Sequence, residues 1–479
     1  MGFFDRIYPF VPAWAQNVGI SLYGLAYRNE RLGGRYEQWV AEFEQRDRWS
    51  ASQMRAYVAA SLRRVLAHAF REVPYYRQAW TSLGLHLDDL MNFRPEDLPS
   101  LPTTPKEPLR RNPMDFVARN IAARQKLHPY YTSGSTGTPI TCYFTADGHR
   151  SFIAAREVRS FRWAGSSIRS PRSMMGGRLI VPDAEAMPPY YRYNWAERQV
   201  YFSAYHISPK RVANYVEGFN RYRPELLTGY AYSHYALGRM MLDQGLRLNY
   251  EPKAVVLSSE KLTLEMKRVI QEAFRARAYE EYGAVEQCML ATECEQGGLH
   301  ANPDFGIIEI LDEYNRPALP GVEGRIVCTS LLNDAQPLIR YEVGDMGSWS
   351  AKPCACGRDH LPVLEEVSGR VEDAVVCRDG REMVRFHGIF INLPNVIEAQ
   401  VIQEAIDLLR IRVVANDCFG PADEAIIRER VSDQRLGPVR VEIERVPAIE
   451  RTPRGKFRAV ISHLPRQERE AATLAAERS

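Results

Sequence analysis

Apolar residues recur at intervals of three and four over residues 52–73, which predicts an amphipathic helix that ends before Pro74. Similar patterns predict further helices over residues 149–161, 209–219 and 262–274. The continuous apolar run AVVLSSE, residues 254–260, instead predicts a buried parallel strand. The proline-rich residues 98–113 predict an extended lead-in. Strands therefore alternate with helices, which indicates a layered α/β domain.

From Gly306 onwards the pattern changes to β. GIIEIL and EGRIVCTS, joined by a turn at residues 312–320, predict a hairpin, and PLIRYEVGD predicts another strand. Beyond Gly369, the segments RIRVVA and VRVEIERV predict two β segments with a helix between them. We predict an α/β protein with a large layered N-terminal domain, residues 1–368, and a small mobile α+β C-terminal domain, residues 369–479.

Composition adds few constraints. The 479 residues are 45% hydrophobic and 25% charged, as expected of a globular protein with two or three domains. The net charge of +3 gives no electrostatic case for nucleic acid. Eight cysteines follow a start, MGFFDR, that does not resemble a signal peptide. This predicts that the protein is located in a reducing cytoplasm, where clustered cysteines more often bind a metal than form disulfides.

The N-terminal residues 7–27 carry no charge and include several large apolar side chains, such as Trp14, Leu22, Tyr23 and Leu25. Two prolines, two glycines and two amides argue against a spanning helix. We favour packing against the body of the protein, with contact to a membrane surface or a partner as the alternative. The expected localisation is therefore cytoplasmic, with attachment to the inner face of the membrane as the alternative.

Residues 131–139, YTSGSTGTP, form a loop rich in glycine and hydroxyl groups. Glycines can turn backbone N–H groups inward, and short hydroxyl side chains add donors, so the loop can bind phosphate oxygens. A strand predicted at residues 127–131 and the helix predicted at 149–161 place it at a strand–helix junction. A flexible turn is the alternative. The Lys-Ser pair of P-loop NTPases does not follow Gly137, which excludes that class.

Four further motifs carry candidate chemistry. YGAVE, residues 282–286, offers a ring that can stack on a purine and a carboxylate that can hold Mg²⁺. YEVGD, residues 341–345, places an acid where it can accept hydrogen bonds from ribose hydroxyls. GRVED, residues 369–373, lies at the predicted domain junction, and RTPRGK, residues 451–456, places a lysine on a glycine-bent loop. Each motif alone is a weak signal.

Together, the five motifs in this order resemble the adenylate-forming superfamily of acyl-CoA synthetases, adenylation domains and luciferases. The resemblance is strongest to the phenylacetate–CoA ligase-like branch with its CapK-type proteins, and it covers roughly residues 57–458. It implies an enzyme that joins a small-molecule carboxylic acid to AMP, with ATP and Mg²⁺ as cofactors and pyrophosphate as leaving group. The acyl group then passes to an acceptor, most often coenzyme A.

The resemblance also assigns roles to residues. The residues expected to bind the β- and γ-phosphates of ATP are those of the glycine-rich loop, Ser133, Gly134, Ser135, Thr136 and Gly137. Those expected in the adenine pocket are Ser259, Glu260, Lys261, Tyr282 and Gly283.

Outside the adenine pocket and the phosphate loop, Glu286 would support Mg²⁺, and Asp345 would bind the ribose. Arg370 would contact the nucleotide near the hinge, which Glu372 occupies. Lys456 would steady the carboxylate and the α-phosphate during adenylation. The resemblance thus implies Lys456, Glu286 and Thr136 as catalytic residues.

A second constellation is independent of ATP. The spacings C-x5-H and C-x-C suit a closed structural Zn²⁺ site within residues 288–356, and its predicted ligands are Cys294, His300, Cys354 and Cys356. Scattered buried thiols are the alternative; Cys288 could replace Cys294, and His360 could replace His300. The phenylacetate–CoA ligase-like branch carries a similar set.

The sequence leaves two classes of acceptor for the acyl group. In VVCRDGREMVRFHGIFINLPNVIE, residues 375–398, the glycines are displaced from their place in CoA-forming relatives. An amine or hydroxyl acceptor, on a sugar or an amino acid for example, is therefore the alternative to coenzyme A. A catalytically silent scaffold with the same fold is a third hypothesis, against which the intact Glu286, Asp345 and Lys456 argue. Neither the acid nor the oligomeric state follows from the sequence.

Overall fold

The computed structural model describes residues 8, 11–132, 140–181, 186–368, 375–377, 382–383, 386–390, 393, 395–433, 439–450, 460–465 and 468. Within these residues the α-helices are α1 (Ala13–Leu32), α2 (Tyr36–Arg46), α3 (Ala51–Glu72), α4 (Pro74–Ser82), α5 (Leu87–Met91), α6 (Lys106–Arg111), α7 (Arg119–Ala122), α8 (Ala146–Arg156), α9 (Val212–Tyr222), α10 (Ala231–Asp243), α11 (Leu264–Phe274), α12 (His387–Phe390) and α13 (Pro421–Asp433). A π-helical turn, Glu157–Phe161, continues α8, and two short 3₁₀ helices are Pro95–Ser100 and Pro113–Phe116.

The strands of the described residues are β1 (His128–Tyr131), β2 (Thr141–Phe144), β3 (Arg172–Gly176), β4 (Tyr191–Asn194), β5 (Gln199–Ser203), β6 (Leu226–Tyr230), β7 (Ala254–Ser258), β8 (Arg277–Gly283), β9 (Leu290–Glu293), β10 (Leu299–Ala301), β11 (Gly306–Leu311), β12 (Gly324–Ser330), β13 (Tyr341–Trp349), β14 (Val363–Ser368), β15 (Val375–Val376), β16 (Glu382–Met383), β17 (Val396–Ala405), β18 (Leu408–Ala415), β19 (Arg440–Arg445) and β20 (Val460–Ser462).

A twelve-stranded sheet organises the N-terminal part, in the order β11-β12-β13-β14-β10-β9-β8-β7-β6-β3-β5-β4. Strands β5, β3, β6, β7 and β8 run parallel, and the pairs from β8 to β11 are antiparallel. Alternate side chains of β7 enter two different cores. Val255 and Leu257 pack in the core formed with α9, α10 and α11, and Ala254 and Val256 pack in the core formed with α2 and α8. Both faces are covered, which explains the continuous apolar run predicted as a buried strand.

The antiparallel half confirms the predicted hairpin. Strands β11 and β12 pair in the register Gly306↔Ser330, and β13 follows on the other side of β12. The largest core lies against this half and includes Leu62, Val65 and Leu66 of α3. Helix α3 therefore buries the apolar stripe that predicted it, and Pro74 begins the next helix, α4.

Residues 396–462 contribute a four-stranded sheet in the order β19-β18-β17-β20. Its core joins Val401, Ile411 and Ile427 of β17, β18 and α13. The predicted α/β class is confirmed. The boundary between residues 368 and 369 stays a prediction, because residues 369–374 lie outside the described part of the chain.

Three local predictions are wrong. The glycine-rich stretch does not join a strand to a helix: it connects β1 and β2, an antiparallel hairpin in which Tyr131 lies opposite Thr141, and α8 begins only after β2. Residues 98–113 are not an extended lead-in, because they contain α6 and parts of both 3₁₀ helices. The run PELLTGYAYSHYALGRMM, residues 224–241, predicts a strand, a turn at Gly229 and a helix. Gly229 instead lies inside β6 with φ +138°, where a Cβ atom would lie 2.0 Å from the carbonyl oxygen of Met175.

Candidate functional site

Two neighbouring parallel strands, β7 and β8, end side by side and deliver two of the sequence motifs to one edge of the sheet. Ser259 directly follows β7, and Tyr282 and Gly283 are the last residues of β8. Ser259 and Gln287, in the turns beyond the two strands, have φ of 71° and 50°, conformations uncommon for residues with a Cβ atom. Ligands of open α/β sheets bind at the carboxyl ends of parallel strands, so this edge is the candidate site.

Two crossed hydrogen bonds join the YGAVE and YEVGD motifs. The Tyr282 hydroxyl donates to Asp345 Oδ2 at 3.0 Å, and the Tyr341 hydroxyl donates to Glu286 Oε1 at 2.9 Å. Each motif therefore supplies one tyrosine and one carboxylate. Burial raises the pKa of both Tyr282 and Tyr341, and the partner carboxylate raises it further, so both hydroxyls stay protonated donors. We name these four residues the crossed pairs.

Gly344 explains how β13 presents Asp345. The register of β12 against β13 shifts between Arg325 and Val327, opposite the segment that contains Gly344. Gly344 has φ +85°, which favours glycine because a Cβ atom would be strained there. A bulge re-aims the next side chain, and here that side chain is the Asp345 carboxylate.

His149 connects the glycine-loop hairpin to the residue after Glu286. Its ring stacks on Tyr130 of β1 with centroids 5.0 Å apart, and its Nδ1 lies 3.2 Å from the Gln287 side-chain nitrogen. Within the described residues its buried Nε2 has no hydrogen-bond partner. Burial, with the nearby arginines, lowers the pKa of His149 from 6.5 to about 4, so the ring is neutral at pH 7.

The segment predicted to line the adenine pocket is held at both ends. Glu260 Oε2 accepts a hydrogen bond from the Tyr232 backbone N–H at 2.8 Å, at the start of α10. Lys261 forms an ion pair with Glu366 of β14. The two contacts fix the chain just beyond β7, next to the ends of the parallel strands.

The described residues bring together Ser259, Glu260 and Lys261 beyond β7, and Tyr282, Gly283, Glu286 and Asp345 around the crossed pairs. The remaining predicted site residues lie outside the described part of the chain; they are Ser133, Gly134, Ser135, Thr136, Gly137, Arg370, Glu372 and Lys456. Thr132, the residue before the loop, donates its N–H to Ile140 O at 3.0 Å and so closes the hairpin at the loop's base. The roles of all these residues stay predictions.

The Cys/His cluster joins β10 to two connections: Cys294 directly follows β9, His300 lies in β10, and Cys354 and Cys356 lie between β13 and β14. Its four candidate ligand atoms all lie within 4.8 Å of one another, and they belong to Cys294, His300, Cys354 and Cys356. The Sγ atoms of Cys294 and Cys354 are 3.5 Å apart, and Cys356 Sγ is 3.2 Å from His300 Nε2. Sulfurs at about 2.3 Å from a tetrahedral Zn²⁺ lie about 3.8 Å apart, so the donor set fits this ion.

Two features of the surroundings agree with a metal centre. His300 Nδ1 lies 2.9 Å from Leu361 O, so that Nδ1–H donates to the carbonyl and the Nε2 lone pair faces the cysteines. A Cβ atom on Gly298 would lie 2.7 Å from Cys354 Sγ and 3.2 Å from His300 Nε2, so only glycine leaves this cradle open. Cys288, the proposed substitute, is instead buried in the large core, and neither it nor His360 is among the four.

Sequence reasoning missed Tyr341, His149 and Gln287. Tyr341 and Asp345 lie four positions apart along one strand, so the two-residue period could have indicated a shared face for the tyrosine and the acid. For His149 and Gln287 the sequence holds no local signal, because 138 residues separate them.

Known proteins resemble this chain in sequence and in fold. The CapK C-terminal domain family matches residues 378–463. Protein CapK of Staphylococcus aureus is 26% identical over 388 residues, which cover 76% of this chain and 80% of that protein. Phenylacetate-coenzyme A ligase of Thermus thermophilus is 25% identical over 423 residues, which cover 82% of this chain and 89% of that protein.

Among solved structures, 2-hydroxyisobutyryl-CoA ligase in complex with 2-HIB-AMP and CoA has a TM-score of 0.57 and 23% identity. The alignment covers 90% of this chain and 94% of that one, and at this identity it shows a shared fold. The two sequence relatives and this fold agree with the family resemblance that the five motifs indicate. Over most of its length the chain is therefore similar to CapK and to the phenylacetate-coenzyme A ligases, and it has the fold of 2-hydroxyisobutyryl-CoA ligase.

Proposed function

We propose that this chain is an ATP-dependent carboxylate ligase that forms an acyl-AMP and passes the acyl group to coenzyme A. The observation that carries the proposal is the crossed pairs, which bring the candidate magnesium carboxylate Glu286 and the candidate ribose carboxylate Asp345 to one corner of the sheet. A relative named phenylacetate-coenzyme A ligase supports the acid–thiol class.

In the first step a carboxylate oxygen of the acid attacks the α-phosphorus of ATP, and the bond to pyrophosphate breaks. The acid and the triphosphate are both anionic, so the protein must align them and neutralise charge. Glu286 would hold Mg²⁺ against the phosphates, Asp345 would accept from the ribose hydroxyls, and the loop from Ser133 to Gly137 would donate N–H groups. Lys456 would contact the acid and the α-phosphate.

In the second step a thiolate attacks the acyl carbonyl and AMP leaves. The hinge at Glu372 would carry Lys456 away from the site and present another face of the C-terminal domain. A hinge of few residues can supply such a rotation.

The decisive measurement is carboxylate-dependent ATP–pyrophosphate exchange over aryl, fatty, amino and sugar acids, without an acceptor. Exchange with one acid class would establish the adenylation step and identify its substrate. ATP binding without exchange for any acid would contradict the ligase and favour the silent scaffold. Adding coenzyme A, then amines and alcohols, identifies the acceptor.

Lys456→Ala separates the two steps. This variant should lose exchange, yet convert a supplied acyl-adenylate at the rate of the wild type, because the lysine serves only the first step. Equal loss of both half-reactions would contradict the hinge.

A second acceptor class is favoured by one observation. The C-terminal residues 378–463 match the CapK C-terminal domain family, and this is the part of the chain that would present the acceptor. We therefore keep transfer to an amine or a hydroxyl as the alternative second step, which the acceptor series tests directly.

We further propose that Cys294, His300, Cys354 and Cys356 bind a structural Zn²⁺. The donor set and the cradle at Gly298 support this assignment. A closed site of three thiolates and one imidazole leaves no open position for a substrate, so the ion would stabilise the fold and take no part in catalysis. Metal analysis of the purified chain tests it, and absence of stoichiometric zinc would contradict it.

A further inference from the structure

Helix α1 is amphipathic in an unusual sense: its polar and small residues face the protein, and its apolar residues face outward. Gln16, Ser21 and Gly24 are buried, whereas Trp14 is 70% exposed and Leu22 is 58% exposed. A helix that only covers its own core would place these residues the other way round.

The polar residues of α1 cover the edge strand β4 of the large sheet. Asn17 Oδ1 accepts from the Tyr193 N–H at 2.9 Å, and Ser21 Oγ accepts from the Trp195 N–H at 3.1 Å. A Cβ atom on Gly24 would lie 2.4 Å from the Asn194 side chain. The open donors of an edge strand are thereby satisfied, and α1 is held in one rotation about its axis.

That orientation leaves an apolar stripe exposed to solvent on the other side of α1, formed by Trp14, Val18, Leu22 and Leu25. These positions recur at intervals of four, four and three, so they lie on one side of the helix. Tyr23, which is 61% exposed, lies beside them, and the half-exposed Trp195 belongs to the turn that Ser21 holds. We name Trp14, Val18, Leu22, Tyr23 and Leu25 the outer stripe.

Three exposed arginines lie around the outer stripe. Arg28 follows it on α1 and donates to Ala196 O at 3.2 Å, Arg198 is exposed in the same turn, and the exposed Arg178 lies 5.8 Å from the Tyr27 ring. Glu197 of that turn is buried and paired with Arg31 and Arg172, and Glu30 of α1 lies 3.0 Å from His128 Nδ1. The exposed charges nearest the outer stripe are therefore mainly positive.

We propose that the outer stripe and its arginine rim bind the surface of an anionic lipid bilayer, with α1 lying in the plane of the interface. Tryptophan, tyrosine and leucine on a helix flanked by arginine are the residue types that partition there. One stripe of five side chains is small against the roughly 20–30 residues that each side of a stable protein interface contributes. No helix among the described residues has the length and apolarity to cross a bilayer, so contact is limited to the surface.

The test is co-sedimentation of the full chain with phosphatidylcholine vesicles, with and without phosphatidylglycerol. We expect binding that needs the anionic lipid and weakens with salt. The variant W14Q/L22Q/L25Q should bind at least about 10-fold more weakly. Glutamine keeps the helix propensity, and the residues against β4 are untouched. The matched control L264Q/L319Q, at sites 87% and 73% exposed elsewhere, should bind like the wild type.

A charge variant keeps the proposal testable if the triple variant misfolds. R178E/R198E changes no residue of α1 and should weaken binding to anionic vesicles by about fivefold or more for each arginine, with no effect on the residual binding to neutral vesicles. ATP–pyrophosphate exchange in solution should stay unchanged in all variants, so failure here is distinct from failure of the ligase assignment.

Three results would overturn the proposal: no binding of the wild type to either vesicle, equal loss in the control variant, or a wild-type dimer that the triple variant makes monomeric without any vesicle binding. The last result would assign the outer stripe to a second copy of the chain. Sedimentation velocity without lipid distinguishes it.

Discussion

The crossed pairs and the Cys/His cluster lie in the same large sheet and are built on opposite principles. Each carboxylate of the crossed pairs already accepts a hydrogen bond from a tyrosine hydroxyl in the protein without ligand. In the cluster, three thiols and one imidazole converge, with their four candidate ligand atoms within 4.8 Å of one another. The first region is complete as a structure before substrate arrives, whereas the second is one that we propose an ion to complete.

This difference separates function from stability. Substitution at the crossed pairs should affect chemistry more than folding, because strands on both sides still pair. Substitution in the cluster should affect folding more than chemistry, because its ion would join the β9–β10 connection to the turn before β14. The predictions below test this contrast, from the largest expected effect to the smallest.

Glu286→Gln should lower the ATP–pyrophosphate exchange rate at least about 100-fold, because the amide cannot hold Mg²⁺ where charge develops. The melting temperature should change little, since the amide still accepts from Tyr341. Tyr341→Phe, the matched control, keeps the carboxylate and should cost about 10-fold. Full exchange activity in Glu286→Gln would contradict the site.

Cys354→Ser should destabilise the protein by about 3 kcal/mol, because one ligand of the proposed zinc is lost. Thermal unfolding measures this, and a chelator should destabilise the wild type but not the variant. Cys418→Ser, at an exposed thiol outside the cluster, is the control. The ATP–pyrophosphate exchange rate per folded molecule should not change. A large loss of this rate would show that the cluster takes part in catalysis, and would contradict the separation of function from stability.

Acid should destabilise the region that contains His149. The pKa of its ring is lowered from 6.5 to about 4 by burial, so the unfolded chain binds the proton more tightly than the folded chain. The stabilisation is therefore complete above pH 6.5 and is lost as the pH falls towards 4. His149→Gln should reduce the slope of unfolding free energy against pH in this window, as followed by denaturant titration. An unchanged slope would show that the ring is not buried as described.

The corresponding control is His234, a buried core histidine whose pKa burial also lowers to about 4. His234→Gln should reduce the same slope without raising the KM for ATP. His149→Gln should raise that KM, because His149, unlike His234, contacts the hairpin residue Tyr130 and Gln287 beside Glu286.

Tyr282→Phe should have the smallest effect, a rise of about fivefold in the KM for ATP with little change in kcat. The ring that would stack on adenine remains, and only the hydrogen bond that orients Asp345 is lost, worth about 1 kcal/mol. Asp345→Asn is the comparison and should raise the KM further. Equal effects of the two would show that the hydroxyl, rather than the carboxylate, contacts the nucleotide.

Local patterns were sufficient for some of the elements. The apolar run of β7 and the hairpin of β11 and β12 could be predicted because burial on both faces, or pairing across a short turn, leaves a mark on adjacent residues. The Cys294–Cys356 set could be predicted because few side chains bind zinc and their spacing is characteristic. The hairpin around residues 131–139 could not, since β2 is a four-residue strand beside a loop that reads as a strand–helix junction.

The sequence by itself determined the order of the motifs, the α/β class and the chemical types available for nucleotide and metal. Tertiary structure decided which tyrosine meets which carboxylate, because that depends on strand register and on the bulge at Gly344 across 55 and 63 residues of chain. It also decided the orientation of α1. The uncharged run of residues 7–27 is compatible with burial or exposure, and hydrogen bonds from Asn17 and Ser21 to the edge of β4 turn its apolar side outward.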